Sequence, residues 1–227
     1  MATSRMTIVW AGPSGGGAAP PAGFTASLTG LFATPLEIGA NLISPTFTAS
    51  YSPVATETFA ELSDDDGNPT QNIRGFPNPV TMPFTYTRTT IGGTVTWTLT
   101  ANDGGPNDTD QVTATWLPAV YRGVDASAAL STEADIEGLA TKALASDKTG
   151  TFIFSPVTQY IYIAFPQAYN PTSPFDFVVN GFPGGFILQA SGVNVTANTP
   201  GAPALLYDLW RSTFQLTGTP NVTVVVN

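Results

Sequence analysis

Sixteen carboxylates and no histidine or cysteine define the chemistry open to this chain of 227 residues. Without Cys and His there are no disulfides, no zinc clusters, no Cys nucleophile, no Ser-His-Asp triad and no imidazole acid/base work. The densest acidic cluster is Asp64-Asp65-Asp66-Gly67-Asn68. Asp64, Asp66 and Asn68 place hard oxygen ligands at alternate positions, as a calcium loop does at its start. The later bidentate Glu is missing and Pro69 interrupts, so the segment reads as a strand-to-strand turn built on Asp-Gly and Asn-Pro. Asp103, Asp108 and Asp110 form a second acidic loop around Gly104-Gly105-Pro106, read as a solvated turn. Paired carboxylates could hydrolyse a glycan, but that chemistry needs two of them in a shaped cleft. Glu57 and Glu61 on a Thr-rich strand read as ordinary solvated residues. No catalytic, cofactor-binding or metal-binding residue is assigned, and the chain is read as non-enzymatic.

Aromatic residues are the other concentration, and they crowd the last third. Tyr160, Tyr162 and Ala164 face opposite to Ile161, Ile163 and Phe165 along one strand, and Leu205, Tyr207 and Leu209 oppose Leu206, Asp208 and Trp210 along another. Strands apolar on both faces are covered twice, so one face meets another subunit or a helix. Core plus oligomer interface is preferred over a platform for sugar rings. Trp10, Tyr160, Tyr162, Phe165, Tyr207 and Trp210 are the candidate interface residues. Each of Arg74, Arg88, Arg122 and Arg211 is expected to have a partner; Arg211 suits a carboxylate across an interface or a solvated strand end.

The elements that carry these residues are strands. Thr, β-branched and polar at once, accounts for 34 residues, while 22 Gly and 20 Pro supply turns. Val95, Trp97 and Leu99 alternate with four Thr, and Val112, Ala114 and Trp116 alternate with Thr113 and Thr115, which is the period of a strand with one wet face. The turn-rich Asn102–Asp108 joins these two into an antiparallel pair, and Gly92-Gly93 is read as a hairpin turn linking Phe84–Thr90 to Thr94–Thr100. After residue 118 the texture changes. Ile136, Leu139, Ala140, Ala143 and Leu144 share one helical face behind a Ser131/Thr132 cap, predicting one helix at about 132–145. Greasier strands follow to the C-terminus.

The expected fold is mainly β. Residues 1–30, with Pro13-Ser14-Gly15-Gly16-Gly17, read as an extended N-terminal arm that docks on a partner, the alternative being that Thr7–Trp10 and Thr25–Leu28 are edge strands of the first domain. Residues 31–118 form a first antiparallel sandwich-like domain, and 119–227 a second β-rich domain holding the helix. The net charge of −9 argues against nucleic acid and anionic membranes. No stretch reads as a membrane helix, and the apolar run Ile8–Ala11 is short of the ~7–15 residues of a signal peptide.

An ordered set of segments carries a family resemblance. It runs through Pro35-Leu36-Glu37-Ile38-Gly39, Leu62-Ser63-Asp64-Asp65-Asp66-Gly67, Trp116-Leu117-Pro118 with Val120-Tyr121-Arg122-Gly123-Val124, Tyr160-Ile161-Tyr162-Ile163-Ala164-Phe165-Pro166, Val179-Asn180-Gly181-Phe182-Pro183-Gly184-Gly185, and Tyr207-Asp208-Leu209-Trp210-Arg211. From about Leu31 to the C-terminus the chain resembles small virion proteins of tailed bacteriophages, of fibre, baseplate or decoration type. The resemblance implies an Ig-like first sandwich, a second β-rich domain and a place on the exterior of the particle. Its implied partners are other virion proteins and further copies of itself, a trimer being favoured, with a host-surface glycan as a candidate ligand. It brings no catalytic residues.

Overall fold

Alternation of β-branched and polar residues builds nearly everything in the computed structural model, which describes residues 25–31, 35–43, 46–52, 59–67, 69–74, 85–87, 93–196, 204–217 and 221–227. The N-terminal half holds β1 (Thr25–Leu31), β2 (Leu36–Glu37), β3 (Asn41–Ile43), β4 (Thr46–Ser52), β5 (Phe59–Asp64), β6 (Gln71–Asn72), β7 (Thr85–Thr87), β8 (Gly93–Asn102) and β9 (Asp108–Leu117). Five of them form one sheet in the order β2-β9-β8-β5-β6, and β1 pairs with β4 in a separate antiparallel ribbon. Leu28 of β1 joins Leu62, Val95, Trp97, Leu99 and Trp116 in one buried core. The Trp strands pair as the sequence predicts, with Trp97 opposite Val112.

Two expectations fail here. Thr25–Leu31 is strand, so the last residues of the expected arm belong to this half of the fold; residues 1–24, Trp10 among them, lie outside the described residues. Gly92 lies outside the described residues; among those described, the expected hairpin pairing is not made, since β8 is flanked by β9 and, from Trp97 on, by β5, and β7 pairs with β3.

The C-terminal half begins with β10 (Ala119–Asp125), separated from β9 only by Pro118. After α1 (Glu133–Glu137) follow β11 (Thr141–Leu144), β12 (Gly150–Phe154), β13 (Val157–Pro166), β14 (Phe177–Val179), β15 (Phe182–Pro183), β16 (Phe186–Thr196), β17 (Ala204–Ser212), β18 (Leu216–Thr217) and β19 (Val222–Val226). One sheet runs β11-β10-β13-β17-β16, with β18 added to β13; a second runs β12-β19-β14-β15. Between them lie Ile161, Ile163, Phe165, Phe177, Phe186 and Trp210. The opposite face of the first sheet carries a separate core, in which Tyr121, Tyr162, Tyr207 and Leu209 pack with Ile136 and Leu139.

The helix is shorter than the predicted 132–145. Gly138 closes it after Glu137, and Thr141–Leu144 turns into an edge strand against Ala119–Arg122. Thr132 caps it, accepting from the Asp135 N–H while Asp135 accepts from the Thr132 N–H. Gly123 leaves room for the chain that follows α1: a Cβ there would lie 3.0 Å from the Ala140 nitrogen. Among the described residues no helix is long and apolar enough to cross a membrane.

The junction residues are held from both sides. The Leu117, Pro118 and Ala119 carbonyls accept in turn from the Ile38 N–H (3.0 Å), the Ala145 N–H (3.0 Å) and the Tyr207 hydroxyl (2.8 Å). Lys142 and Glu37 form an ion pair across the same boundary at 2.7 Å.

Candidate functional site

Several aspartates of the acidic loops accept from the chain's own backbone. Asp64 Oδ1 accepts from the Asp66 N–H at 2.8 Å, Asp65 Oδ1 accepts from the Thr96 N–H at 3.0 Å, and Gly67 has φ +81°. These bonds build a turn that grips the start of β8. Asp103 caps the Gly105 N–H in the β8–β9 loop. Asp108 and Asp110 do more than the solvated turn expected of them. They stand on β9 and accept from the Ala26 N–H (2.6 Å) and the Leu28 N–H (2.7 Å) of β1. Two residues apart on a strand, both side chains share one face and match the two-residue spacing of the amides they receive. That Asp-x-Asp spacing is the sequence signal of the clasp.

The candidate interface residues of β13 and β17 are brought together, but inside the chain. Tyr162 and Phe165 are 0% exposed, Tyr207 2% and Trp210 4%. Tyr162 donates to the Ser127 carbonyl, Tyr207 to the Ala119 carbonyl, and Trp210 Nε1 to Asn170 Oδ1. Burial raises the hydroxyl pKa of Tyr207 and of Tyr162. Tyr160 is half-buried under the Arg211 guanidinium, 4.5 Å from its ring centroid. Within its own chain Arg211 thus meets an aromatic ring. The segment around α1 covers one face of these strands and the second sheet covers the other, so their double apolarity needs no second subunit. Exposed large apolar side chains of this half include Val157 at the start of β13 and Leu206 on β17, with Ile153, Phe175, Phe182 and Phe214, Phe182 being 76% exposed beside the Asn180-Gly181 turn.

Among the described residues Asp208 is the buried carboxylate, 4% exposed. It accepts from Gln167 Nε2 (2.9 Å), Asn170 Nδ2, Ser191 Oγ (2.8 Å) and the Gly192 N–H (2.9 Å). The network pins the irregular part of β16, where Gly192 has φ +68°, and the turn after β13 onto β17. Four donors satisfy a carboxylate that would otherwise be expensive to bury.

A cleft of about 400 Å³ opens at the edge of the C-terminal sandwich, where β11 ends one sheet and β12 the other. Val120, Leu144 and Phe152 form its apolar wall, and Arg122, Ser146, Asp147 and Thr149 its polar one. Val120 faces the core between the sheets; two residues on, Arg122 stands on the same side of β10 at the rim. Its guanidinium lies 4.8 Å from the Phe152 ring centroid. The ring in turn sits against Gly150, where a Cβ would come within 2.9 Å of it. Arg122 has no hydrogen bond or ion pair to a described residue, whereas Lys142 pairs with Glu37 and Lys148 with Asp176. Asp147 Oδ1 accepts from the Thr149 N–H (2.8 Å) and hydroxyl (2.6 Å), bonds that hold its pKa below the usual carboxylate value. One guanidinium and one carboxylate equip the cleft to bind. The two-carboxylate geometry of glycoside hydrolysis is not assembled in it.

Comparison of the chain with protein-family models, with curated proteins and with solved structures returns no match. The site is therefore read from its own geometry.

Proposed function

We propose that this chain is a non-enzymatic structural protein of a tailed-phage virion, displayed on the particle exterior as a peripheral appendage component of tail-fibre or baseplate type. The observation that carries the reading is the use of the carboxylates. Asp108, Asp110, Asp135, Asp176 and Asp208 all accept from the chain's own backbone or amide groups, holding strand edges, caps and a strand irregularity in place. Such a chain invests its acidic chemistry in a durable β surface rather than in turnover. The ordered segments quoted above supply the virion assignment. The exposed Phe175, Phe182 and Phe214 provide contact area for neighbouring virion proteins and further copies of the chain.

Mass spectrometry and microscopy of purified particles test this. The protein should be present at a fixed, symmetry-related copy number, at a tail position. A head position would make it a capsid decoration protein, and absence from particles would end the virion reading. Depolymerase activity abolished by substituting a carboxylate pair would make it an enzyme instead.

A further inference from the structure

We propose that the cleft at Arg122 binds a carboxylate-bearing sugar, the uronic acid unit of an acidic polysaccharide, with Arg122 receiving the carboxylate and Asp147 accepting from ring hydroxyls. The inference goes beyond the virion assignment, because binding of a purified sugar acid does not depend on where the protein resides.

Three observations carry it. First, Arg122 is held but not neutralised. Its guanidinium lies over Phe152, Phe152 lies on Gly150, and no carboxylate of the described residues meets it, in a chain of net charge −9. A planar fork of donors fixed in this way is ready for a carboxylate, which it meets through two parallel N–H bonds. Little side-chain freedom remains to be lost on binding.

Second, the Phe152 ring carries the Arg122 guanidinium and has Gly150 at its tip. The face that Arg122 covers is not open to a neutral sugar, and recognition there falls to the polar groups. Thr149 occupies Asp147 Oδ1, leaving Oδ2 without a hydrogen bond to a described residue. Ser146 and Thr149 add hydroxyls along the same wall.

Third, size and charge select among anions. A volume of about 400 Å³ lies in the range of small-ligand sites. With one positive and one negative group, the cleft matches a ligand with one carboxylate and neighbouring hydroxyl donors. A phosphate would bring its second charge against Asp147. An acidic peptide side chain would satisfy Arg122 but offer no hydroxyl to Asp147.

The test is an NMR titration of the full chain with trigalacturonate, maltotriose and triglutamate. Trigalacturonate should shift the Arg122 and Thr149 signals with a Kd on the order of 1 mM, and maltotriose should bind at least about tenfold more weakly. Arg122→Lys keeps the charge but removes the fork, and should weaken trigalacturonate about tenfold. Asp147→Asn and Gly150→Ala should each weaken it a few-fold, the latter by displacing Phe152. The dispersed amide spectrum of each variant checks its fold. If Arg122→Lys fails to fold, the preference of the wild type for trigalacturonate over maltotriose decides. No shift at the cleft, equal binding of maltotriose, or a folded Arg122→Lys variant binding as wild type would each overturn the proposal. Tighter binding of triglutamate would also overturn it, assigning the cleft to an acidic protein partner.

Discussion

The two halves of the chain use the same strand chemistry and cover it differently. In the N-terminal half, β8 buries Val95, Trp97, Leu99 and Ala101 and turns its Thr residues outward, so one face is wet and one core suffices. In the C-terminal half, residues 161–166 of β13 are all buried, because the sheet is covered on both faces. The difference teaches that an unbroken apolar run reports how many faces are covered, not what covers them. Here the cover is a short irregular segment with a five-residue helix, where a partner subunit would have served the same pattern.

The comparison can be broken most severely at the two-sided sheet. Phe177 is fully buried, stacked on Phe186 at 4.4 Å and tilted against Trp210 at 5.0 Å. Phe177→Ala should cost about 3–5 kcal/mol, measured by urea denaturation. Calorimetry of that variant should reveal whether the N-terminal half melts separately. Ile136→Ala removes the main anchor of α1 and should cost about 2–5 kcal/mol. A loss under about 0.5 kcal/mol, the scale of a surface change, would mean that the helix is no structural cover. On the one-sided half, Asp110→Ala should cost about 1.5–3 kcal/mol and speed hydrogen exchange at the Leu28 amide.

Smaller effects sharpen the contrast. Thr132→Ala should cost about 1 kcal/mol through the lost cap. Backbone bonds from Ser131 and Thr132 lower the Asp135 pKa, and the Lys148 bond together with the Thr172 and Ser173 amides lowers that of Asp176. Both contributions are complete above the usual carboxylate value of 3.8 and are lost as pH falls below it through the depressed folded-state values. Melting temperature should therefore drop below about pH 4, and the double Asn variant should flatten that limb. Last, a double-mutant cycle on Lys142 and Glu37 should give a coupling of at most about 1 kcal/mol.

Much of this fold is legible in the sequence where periodicity is local. The Trp strand pair follows from alternation around a turn-rich loop. The helix is half legible. Its cap and Ile136 are correct, but Ala143 and Leu144 sit at helical spacing from Leu139 only by coincidence. Gly138 ends the helix, after which Thr141–Leu144 follows the demand of the β10 edge. Pairing partners are less legible, because β7 reaches β3 across more than 40 residues and no local pattern encodes that choice. The Arg122 cleft is hidden for the same reason. It joins β10, the chain between β11 and β12, and Phe152, and only the packing of two sheet edges brings them together.

The triple tie at Leu117, Pro118 and Ala119 bears on how the molecule carries mechanical load. A single proline between two β units would ordinarily be a place to bend. Here three consecutive carbonyls are each held by a different element: the residue after β2, the residue after β11, and β17. Ile38 clamps Leu117 within the first half and Tyr207 clamps Ala119 within the second, so each strand is held to its own unit right up to the proline, and a rotation of one half against the other loads the Lys142–Glu37 pair. Bending is thus confined to the peptide units on either side of Pro118, with neither strand end free to fray into the joint.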